Sequence, residues 1–166
     1  MKAVLMSIKP KWCHLIANGA KTVEVRKTKP KLGTPFKCYI YCTKKNTRNP
    51  HELLEYHTDD GKIRKMNGMV IGEFVCDQIY QWSSANVEGL NISKDEITKM
   101  SCLTEDELFR YEYSSEPKEG CLYLFGLYAW HISNLTIYKR PKEVSTLGIS
   151  RAPQSWCYVE GLENTK

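Results

Sequence analysis

The chain has 166 residues, a length that suits one domain with a hydrophobic core and is too short to require two. Hydrophobic residues make up 42% and charged residues 26%, as in ordinary soluble globular proteins, and the net charge is +5. The longest apolar run, "CLYLFGLYAW", is too short to cross a bilayer, so we expect no membrane-spanning helix.

The first third of the chain predicts a strand, a helix and two further strands. "KAVLMSI" is rich in apolar residues and forms the first strand, and Pro10 suits the first turn of a helix that stops at Gly19. Residues 22–26 form the second strand. "FKCYIYC" forms the third strand after the turn-rich connection "KPKLGTP".

The middle of the chain changes character twice. Residues 44–66 look like an excursion with a short helix near Asn49 and Pro50, and "GMVIGEFVCD" then forms a buried strand. Residues 80–118 are acidic, and "SKDE" and "TEDE" both carry the reciprocal capping pattern that opens a helix. We therefore predict a helical insertion at about 80–118.

The C-terminal part predicts three more strands, in "CLYLFGLYAWHI", "NLTIY" and "SWCYV". Six or seven short strands with a few helices predict an α+β fold, built as a small mixed β-barrel of about six strands with flanking short helices. We expect residues 1–166 to form a single domain, with the helical insertion as part of it.

The charge is unevenly distributed. Residues 1–50 hold many Lys and Arg but only one acid, Glu24, whereas the acids gather between residues 88 and 119. This asymmetry predicts a basic surface in the N-terminal half that attracts phosphate or nucleic acid. The alternative is that these lysines only keep the protein soluble.

The seven cysteines are expected to be reduced thiols in the cytoplasm, because the first residues lack a secretory pattern. A zinc set of Cys38, Cys42, His51 and His57 has the wrong spacing for the common zinc motifs. Strand alternation in "FKCYIYC" instead places both cysteines on one apolar face, as core residues. We predict no metal and no cofactor.

Acidic and basic side chains stand together in the second predicted strand. Glu24 and Arg26 share a strand face, about 6.5 to 7 Å apart along the chain. Lys21 reaches the same side only if it belongs to the turn after Gly19, or if a bulge intervenes. Such a set suits a nucleotide, because Arg and Lys bind phosphate and Glu accepts from an exocyclic amine. The alternative is a solvated strand face.

Gly19, Lys21, Glu24 and Arg26 match the pattern Gly-x-Lys-x-x-Glu-x-Arg. This resembles the signature of the ASCH domain family, and "GEFVCD", "YAWHISNLTIYKRPKEV" and "RAPQSWCYV" look like later stretches of its phage- and bacteria-type members. The resemblance implies a PUA-like barrel with a cleft for RNA, a nucleotide or a nucleoside.

The resemblance also implies possible chemistry. One bacterial relative deacylates cytidine acetylated on its exocyclic amine through a Lys, a Thr and a Glu, and another relative is a ribonuclease. Lys21 matches the Lys and Glu73 matches the Glu, but Glu24 stands where the Thr is expected. The implied catalytic set is Lys21, Glu24 and Glu73. From its apolar strand we expect Glu73 to pair with Lys21 or Arg26, either in a site or as a structural ion pair.

"RAPQSW" predicts another wall of the cleft, because its cation, amide, hydroxyl and ring can hold a base. The residues concerned are Arg151, Gln154, Ser155 and Trp156. Lys9, near the end of the first strand, joins the same cleft as a ligand-binding residue. The alternative for Trp156 is a core position in a final strand.

Three functions stay open. The first is a binding module for RNA or a nucleotide, supported by the basic N-terminal half. The second is a small hydrolase, acting on acylated cytidine-type nucleosides or as a ribonuclease. The third is a regulatory protein-interaction module that uses the acidic insertion as its contact surface.

Overall fold

The computed structural model describes residues 1–44, 53–85, 88–114 and 126–162. The elements are β1 (Lys2–Ile8), α1 (Pro10–Ala17), β2 (Val23–Arg26), β3 (Phe36–Cys42), β4 (Glu55–His57), β5 (Ile63–Lys65), β6 (Val70–Cys76), β7 (Ile79–Trp82), α2 (Lys94–Ser101), α3 (Glu105–Glu112), β8 (Leu127–His131), β9 (Ser133–Lys142) and β10 (Trp156–Glu160). A 3₁₀ turn at Val144–Leu147 links β9 to the last strand. Within these ranges no helix is both long enough and apolar enough to cross a membrane.

The strands form three sheets. The main sheet has the order β10-β1-β3-β6-β9, in which β1 and β3 run parallel and the other neighbours run antiparallel. The second sheet has the order β2-β8-β7 and is antiparallel throughout. The third sheet is a two-stranded ribbon of β4 and β5, and its residue Tyr56 packs against the core of the main sheet.

The predicted α+β class is confirmed, but the predicted closed barrel of about six strands is wrong for the described part of the chain. Its strands pair into open sheets, and they number more than six. The physical reason is that β2 pairs with β8 and not with β1 or β3. Local patterns locate strands, whereas partner choice depends on contacts distant in sequence. The start of the helix predicted for "NPHELLEYH", near Asn49 and Pro50, lies outside the described residues. Its end is wrong, because Glu55–His57 is strand β4 and pairs with β5.

One face of the main sheet forms the largest part of the core. Met6, Ile40 and Phe74 come from three neighbouring strands and pack with Ile16 of α1 and Trp130 of β8. Each fully buried apolar side chain of this size contributes about 1.5–3 kcal/mol through removal of its surface from water. The main sheet is therefore joined to α1 and to the second sheet through one continuous cluster.

Cys38 and Cys42 belong to that same core cluster and are fully buried. Their strand alternation in β3 places them beside apolar neighbours, as the sequence predicts. His51, the third member of the zinc set considered from sequence, lies outside the described residues.

Helices α2 and α3 of the predicted insertion cover the outer face of the second sheet, whereas residues 80–82, at its predicted start, belong to strand β7. Val23 and Val25 of β2 are buried with Ile97 of α2 and Leu108 of α3 in a separate cluster. Both helices begin with the predicted reciprocal cap, Ser93 with Glu96 in α2 and Thr104 with Glu107 in α3. The helix starts predicted from "SKDE" and "TEDE" are thus confirmed.

Gly72 marks the closest approach of β6 to β9. A Cβ atom at Gly72 would lie 2.4 Å from the backbone oxygen of Thr136, too close for any real contact. We expect Gly72→Ala to lower the free energy of unfolding by about 1–3 kcal/mol or more, because the two backbones must separate. Urea denaturation followed by circular dichroism measures the change.

Gly33→Ala is the matched control, because a Cβ atom there meets nothing within 4 Å and its φ is not in the left-handed region. We expect its unfolding midpoint to stay close to that of the parent. Equal midpoints for the two variants would contradict the tight contact between β6 and β9.

Candidate functional site

Strand β2 is buried on both faces. Val23 and Val25 point toward the insertion, and Glu24 and Arg26 point to the other side, where Glu24 is the register partner of the core residue Trp130. Glu24 and Arg26 are only 4% and 8% exposed. The alternation of valines and charged residues along β2 is as expected from the sequence. The charged face is buried, however, so the alternative of a solvated strand face is wrong.

Lys21 lies in the connection before β2, two residues after Gly19. Gly19 has a φ of 79°, in the left-handed region, and turns the chain out of α1. The backbone N–H of Lys21 donates to the Leu15 carbonyl at 2.9 Å, which fixes the turn. Because Lys21 stands outside the strand, its side chain reaches the same side as Glu24 without a bulge.

These side chains form a buried ion cluster. The Lys21 Nζ atom lies 3.3 Å from Glu24 Oε2, and the Arg26 Nη1 group donates to Glu24 Oε1. Arg26 Nη2 also donates to the Ser7 carbonyl at 2.8 Å, and Lys21 Nζ donates to the Ser101 carbonyl at 2.7 Å. One carboxylate therefore holds two cations, from which further hydrogen bonds reach β1 and the end of α2.

The Lys21–Glu24 pair has ion-pair distance without hydrogen-bond geometry. Glu24 Oε2 accepts no hydrogen bond from any described residue, and Arg26 Nε donates none to them. A buried polar atom without a partner is costly, so these two atoms mark the incompletely satisfied part of the cluster.

A cavity of about 370 Å³ opens beside this cluster. Its walls come from the end of β1 and the start of α1, from the motif, from the insertion and from the segment before β10. The lining residues are Ser7, Ile8, Lys9, Trp12, Lys21, Glu24, Val25, Arg26, Thr43, Leu103, Glu107, Tyr111, Gln154 and Ser155.

Most of the residues predicted from sequence to bind a ligand line this cavity. They are Lys9, Lys21, Glu24, Arg26, Gln154 and Ser155. Arg151 is exposed and Trp156 packs against Trp130 with ring centroids 5.7 Å apart, and neither is among the lining residues. The indole N–H of Trp156 donates to Thr28 Oγ1 at 3.0 Å, as a side chain held in the fold would.

The predicted pairing of Glu73 with Lys21 or Arg26 is wrong. Glu73 pairs with Lys37 at 2.8 Å and accepts from the Tyr138 hydroxyl at 2.5 Å. Alternation along β6 is the reason, because its neighbour Phe74 faces the main core and Glu73 therefore faces the opposite side of the sheet. Glu73 is not among the residues that line the cavity.

Burial raises the pKa of Glu73, but the hydrogen bonds from Lys37 and Tyr138 outweigh it and hold that pKa below the ordinary value. The same contact raises the pKa of Lys37, with partial burial acting against it. Both shifts describe an ion pair that stabilises the folded state.

Sequence reasoning missed the wall that the insertion provides. Leu103, Glu107 and Tyr111 recur every four residues, which places Glu107 and Tyr111 on one face of α3. Burial raises the pKa of the Tyr111 hydroxyl although the nearby Arg26 guanidinium lowers it, so the hydroxyl stays protonated at neutral pH. The spacing is visible in the sequence, but nothing there indicates that this face meets β2.

The fold is similar to that of solved ASCH proteins. The crystal structure of ASCH from Zymomonas mobilis has a TM-score of 0.61 to this chain, with 20% identity over 95% of this chain and 87% of that one. Two single-substitution variants of the Zymomonas protein give TM-scores of 0.60 and 0.59, each at 18% identity, over 96% and 95% of this chain and 91% and 88% of theirs. The resemblance to the ASCH domain is thus confirmed at the level of the fold.

No protein-family model matches the sequence, and no curated protein matches it either.

The ion pair of Glu73 generates a pH-dependent contribution to stability. A depressed pKa in the folded state stabilises the protein above the unfolded pKa of Glu, about 4.3, and this stabilisation is lost as the pH falls through the folded value. We expect Glu73→Gln to be less stable than the parent at pH 7 and to approach it in stability below about pH 4. Urea denaturation between pH 3 and pH 7 measures this.

Lys37→Met removes the other half of the pair and serves as the control. The parent should lose stability with acid more steeply than either variant. A stability difference between parent and Glu73→Gln that is constant across this pH range would contradict the assignment.

Proposed function

We propose that the protein binds a ribonucleotide unit, either free or within single-stranded RNA, in the cavity beside the Lys21–Glu24–Arg26 cluster. The observation that carries this proposal is the buried Glu24 carboxylate in the cavity wall, held by two cations and with Oε2 left without a hydrogen-bond donor. A fixed acceptor beside fixed donors is suited to reading the polar edge of a base.

The balance of charge in the cavity supports an anionic ligand. Lys9, Lys21 and Arg26 are cationic and Glu24 and Glu107 are carboxylates, so three positive charges face two negative ones and one net positive charge remains. Lys9 is exposed at the rim, where a phosphate can reach it without desolvating the interior.

The size of the cavity suits one nucleotide unit and not a longer strand. Its volume of about 370 Å³ lies near the lower end of the range of about 300–1,000 Å³ found for small-molecule sites. Tyr111, half-buried in the wall, offers a ring against which a base can stack. In an RNA ligand one nucleotide would enter the cavity and its neighbours would stay outside.

Some side chains of the cavity wall also stabilise the fold, so replacing them affects both binding and stability. Arg26→Ala is not a clean test of binding, because Arg26 is buried and bonds to Glu24 and to the Ser7 carbonyl. Removing it would leave a buried carboxylate with one cation fewer, so the loss of binding would be mixed with a loss of stability. Replacing Tyr111 or Lys9 removes no charge from the buried ion cluster.

Tyr111→Leu tests the stacking wall. We expect the affinity for nucleotides and for short single-stranded RNA to fall about tenfold, since base–aromatic stacking is worth about 1–3 kcal/mol. Tyr113→Leu is the matched control, because Tyr113 lies on the same helical segment, is exposed and is not among the cavity residues. Isothermal titration measures the affinities of the parent and of both variants for free nucleotides and for RNA, at low and at moderate salt.

Binding should weaken as salt rises, because the contact of Lys9 with phosphate releases counterions. Lys9→Ala should reduce this salt dependence, and Glu73→Gln should leave binding unchanged because Glu73 lies across the main sheet. The absence of micromolar or tighter binding of any nucleotide or RNA at low salt would overturn the proposal. Equal losses in Tyr111→Leu and Tyr113→Leu would place the site elsewhere.

A second candidate function is hydrolysis of an acylated cytidine-type nucleoside. One observation favours it: Thr43 is among the residues of the cavity wall, and its buried hydroxyl has no hydrogen-bond partner among the described residues. It offers a nucleophile or a donor near Lys21 and Glu24, although Glu24 stands where the resemblance leads one to expect a threonine. Glu73 has no part in this version of the site.

Acetate release from acetylated cytidine tests the second candidate. We expect weak turnover by the parent, loss in Thr43→Val and in Lys21→Ala, and retention in Thr43→Ser, which keeps a hydroxyl. Turnover that survives both Thr43→Val and Lys21→Ala would come from another source. No turnover in any form would leave nucleotide binding as the function of the cavity.

The interaction-module hypothesis stays a prediction. Its support is the outer face of the insertion, where Phe109 and Tyr113 are 51% and 40% exposed and contact each other with ring centroids 4.6 Å apart.

A further inference from the structure

Glu107 is the carboxylate that the insertion contributes to the cavity. It is half-buried, and it lies one helical turn before Tyr111 on the same face of α3. The other carboxylate in the wall, Glu24, belongs to the motif and is already paired with two cations. Glu107 has no cation within ion-pair distance among the described residues, so its charge is available to a ligand.

The helix cap fixes the Glu107 side chain. Its Oε2 atom accepts from the Thr104 N–H at 2.9 Å and from the Thr104 hydroxyl at 3.3 Å. No described residue donates to Oε1. One oxygen of the carboxylate therefore holds the side chain in place, while the other can accept a hydrogen bond from a ligand hydroxyl. Because the side chain is already fixed, binding costs it little further conformational entropy.

We propose that Glu107 accepts hydrogen bonds from ribose hydroxyls and makes the cavity select ribonucleotides over deoxyribonucleotides. This inference rests on the proposed nucleotide binding. A carboxylate repels phosphate, and the base edge finds its partners at Glu24 and Arg26. Of the groups in a ribonucleotide that can donate a hydrogen bond, the sugar hydroxyls then remain for Glu107. Carboxylates recognise ribose in this way in dinucleotide-binding folds, and the 2′-hydroxyl is the group that separates RNA from DNA.

The chain provides a matched control for this carboxylate. Glu96 occupies the same capping-box position in α2, a helix of the same length, and its Oε2 atom accepts from the Ser93 N–H at 3.0 Å. Glu96 is exposed and is not among the cavity residues. Replacing either glutamate by alanine therefore removes the same kind of cap, but only Glu107→Ala alters the cavity.

The experiment compares the 5′-monophosphates of ribonucleosides with those of 2′-deoxyribonucleosides by isothermal titration. For the parent we expect about tenfold tighter binding of the ribonucleotide, the effect of one hydrogen bond to a charged group. Glu107→Ala should reduce the ratio of the two affinities to about one, mainly by weakening the ribonucleotide. Glu96→Ala should keep the ratio of the parent while losing a similar amount of thermal stability.

Glu107→Gln keeps the capping box and should give an intermediate ratio, because an amide oxygen is a weaker acceptor than a carboxylate. Equal affinities of the parent for both sugars would overturn the role of Glu107 and leave nucleotide binding intact. An unchanged ratio in Glu107→Ala would overturn it as well. Binding of neither nucleotide by the folded parent would instead overturn the proposed function itself.

Discussion

The buried carboxylate of Glu24 is the constraint around which the other parts of the site are arranged. Two cations from the same short segment would repel each other inside the protein without it, and breaking such a buried ion pair typically costs about 3–5 kcal/mol. Their remaining hydrogen bonds tie β2 to two distant parts of the chain. Arg26 reaches the Ser7 carbonyl in β1, and Lys21 reaches the Ser101 carbonyl at the end of α2.

The architecture follows from the need to cover β2 on both faces. The insertion buries Val23 and Val25, and the main core closes around the other side through Trp130. A short strand with alternating valines and charges would elsewhere be a surface strand. Here both faces are enclosed, and the cavity opens beside the polar face. The acidic insertion is thus part of the wall of the site and supplies Tyr111 to it.

The sequence predicted local features well and tertiary partners poorly. The caps at Ser93 and Thr104 depend on four consecutive residues, so "SKDE" and "TEDE" sufficed to locate α2 and α3. The partners of Glu73 come from β3 and β9, which no local pattern indicates. The barrel is not confirmed for the same reason, since a count of strands does not indicate which strands pair. The single-domain organisation stays a prediction.

The hydrogen bond between Lys21 and Ser101 has a consequence for the order of folding. It joins residues 80 positions apart, so a large loop must close before it forms. The strand, helix and turn that present Lys21 are made early in synthesis, but their charges obtain their full set of partners only when the insertion docks. Contacts of such sequence separation slow folding, because the entropy of closure is lost before they contribute. A nascent chain that ends before α2 therefore carries an incomplete, solvated cluster in place of the buried one.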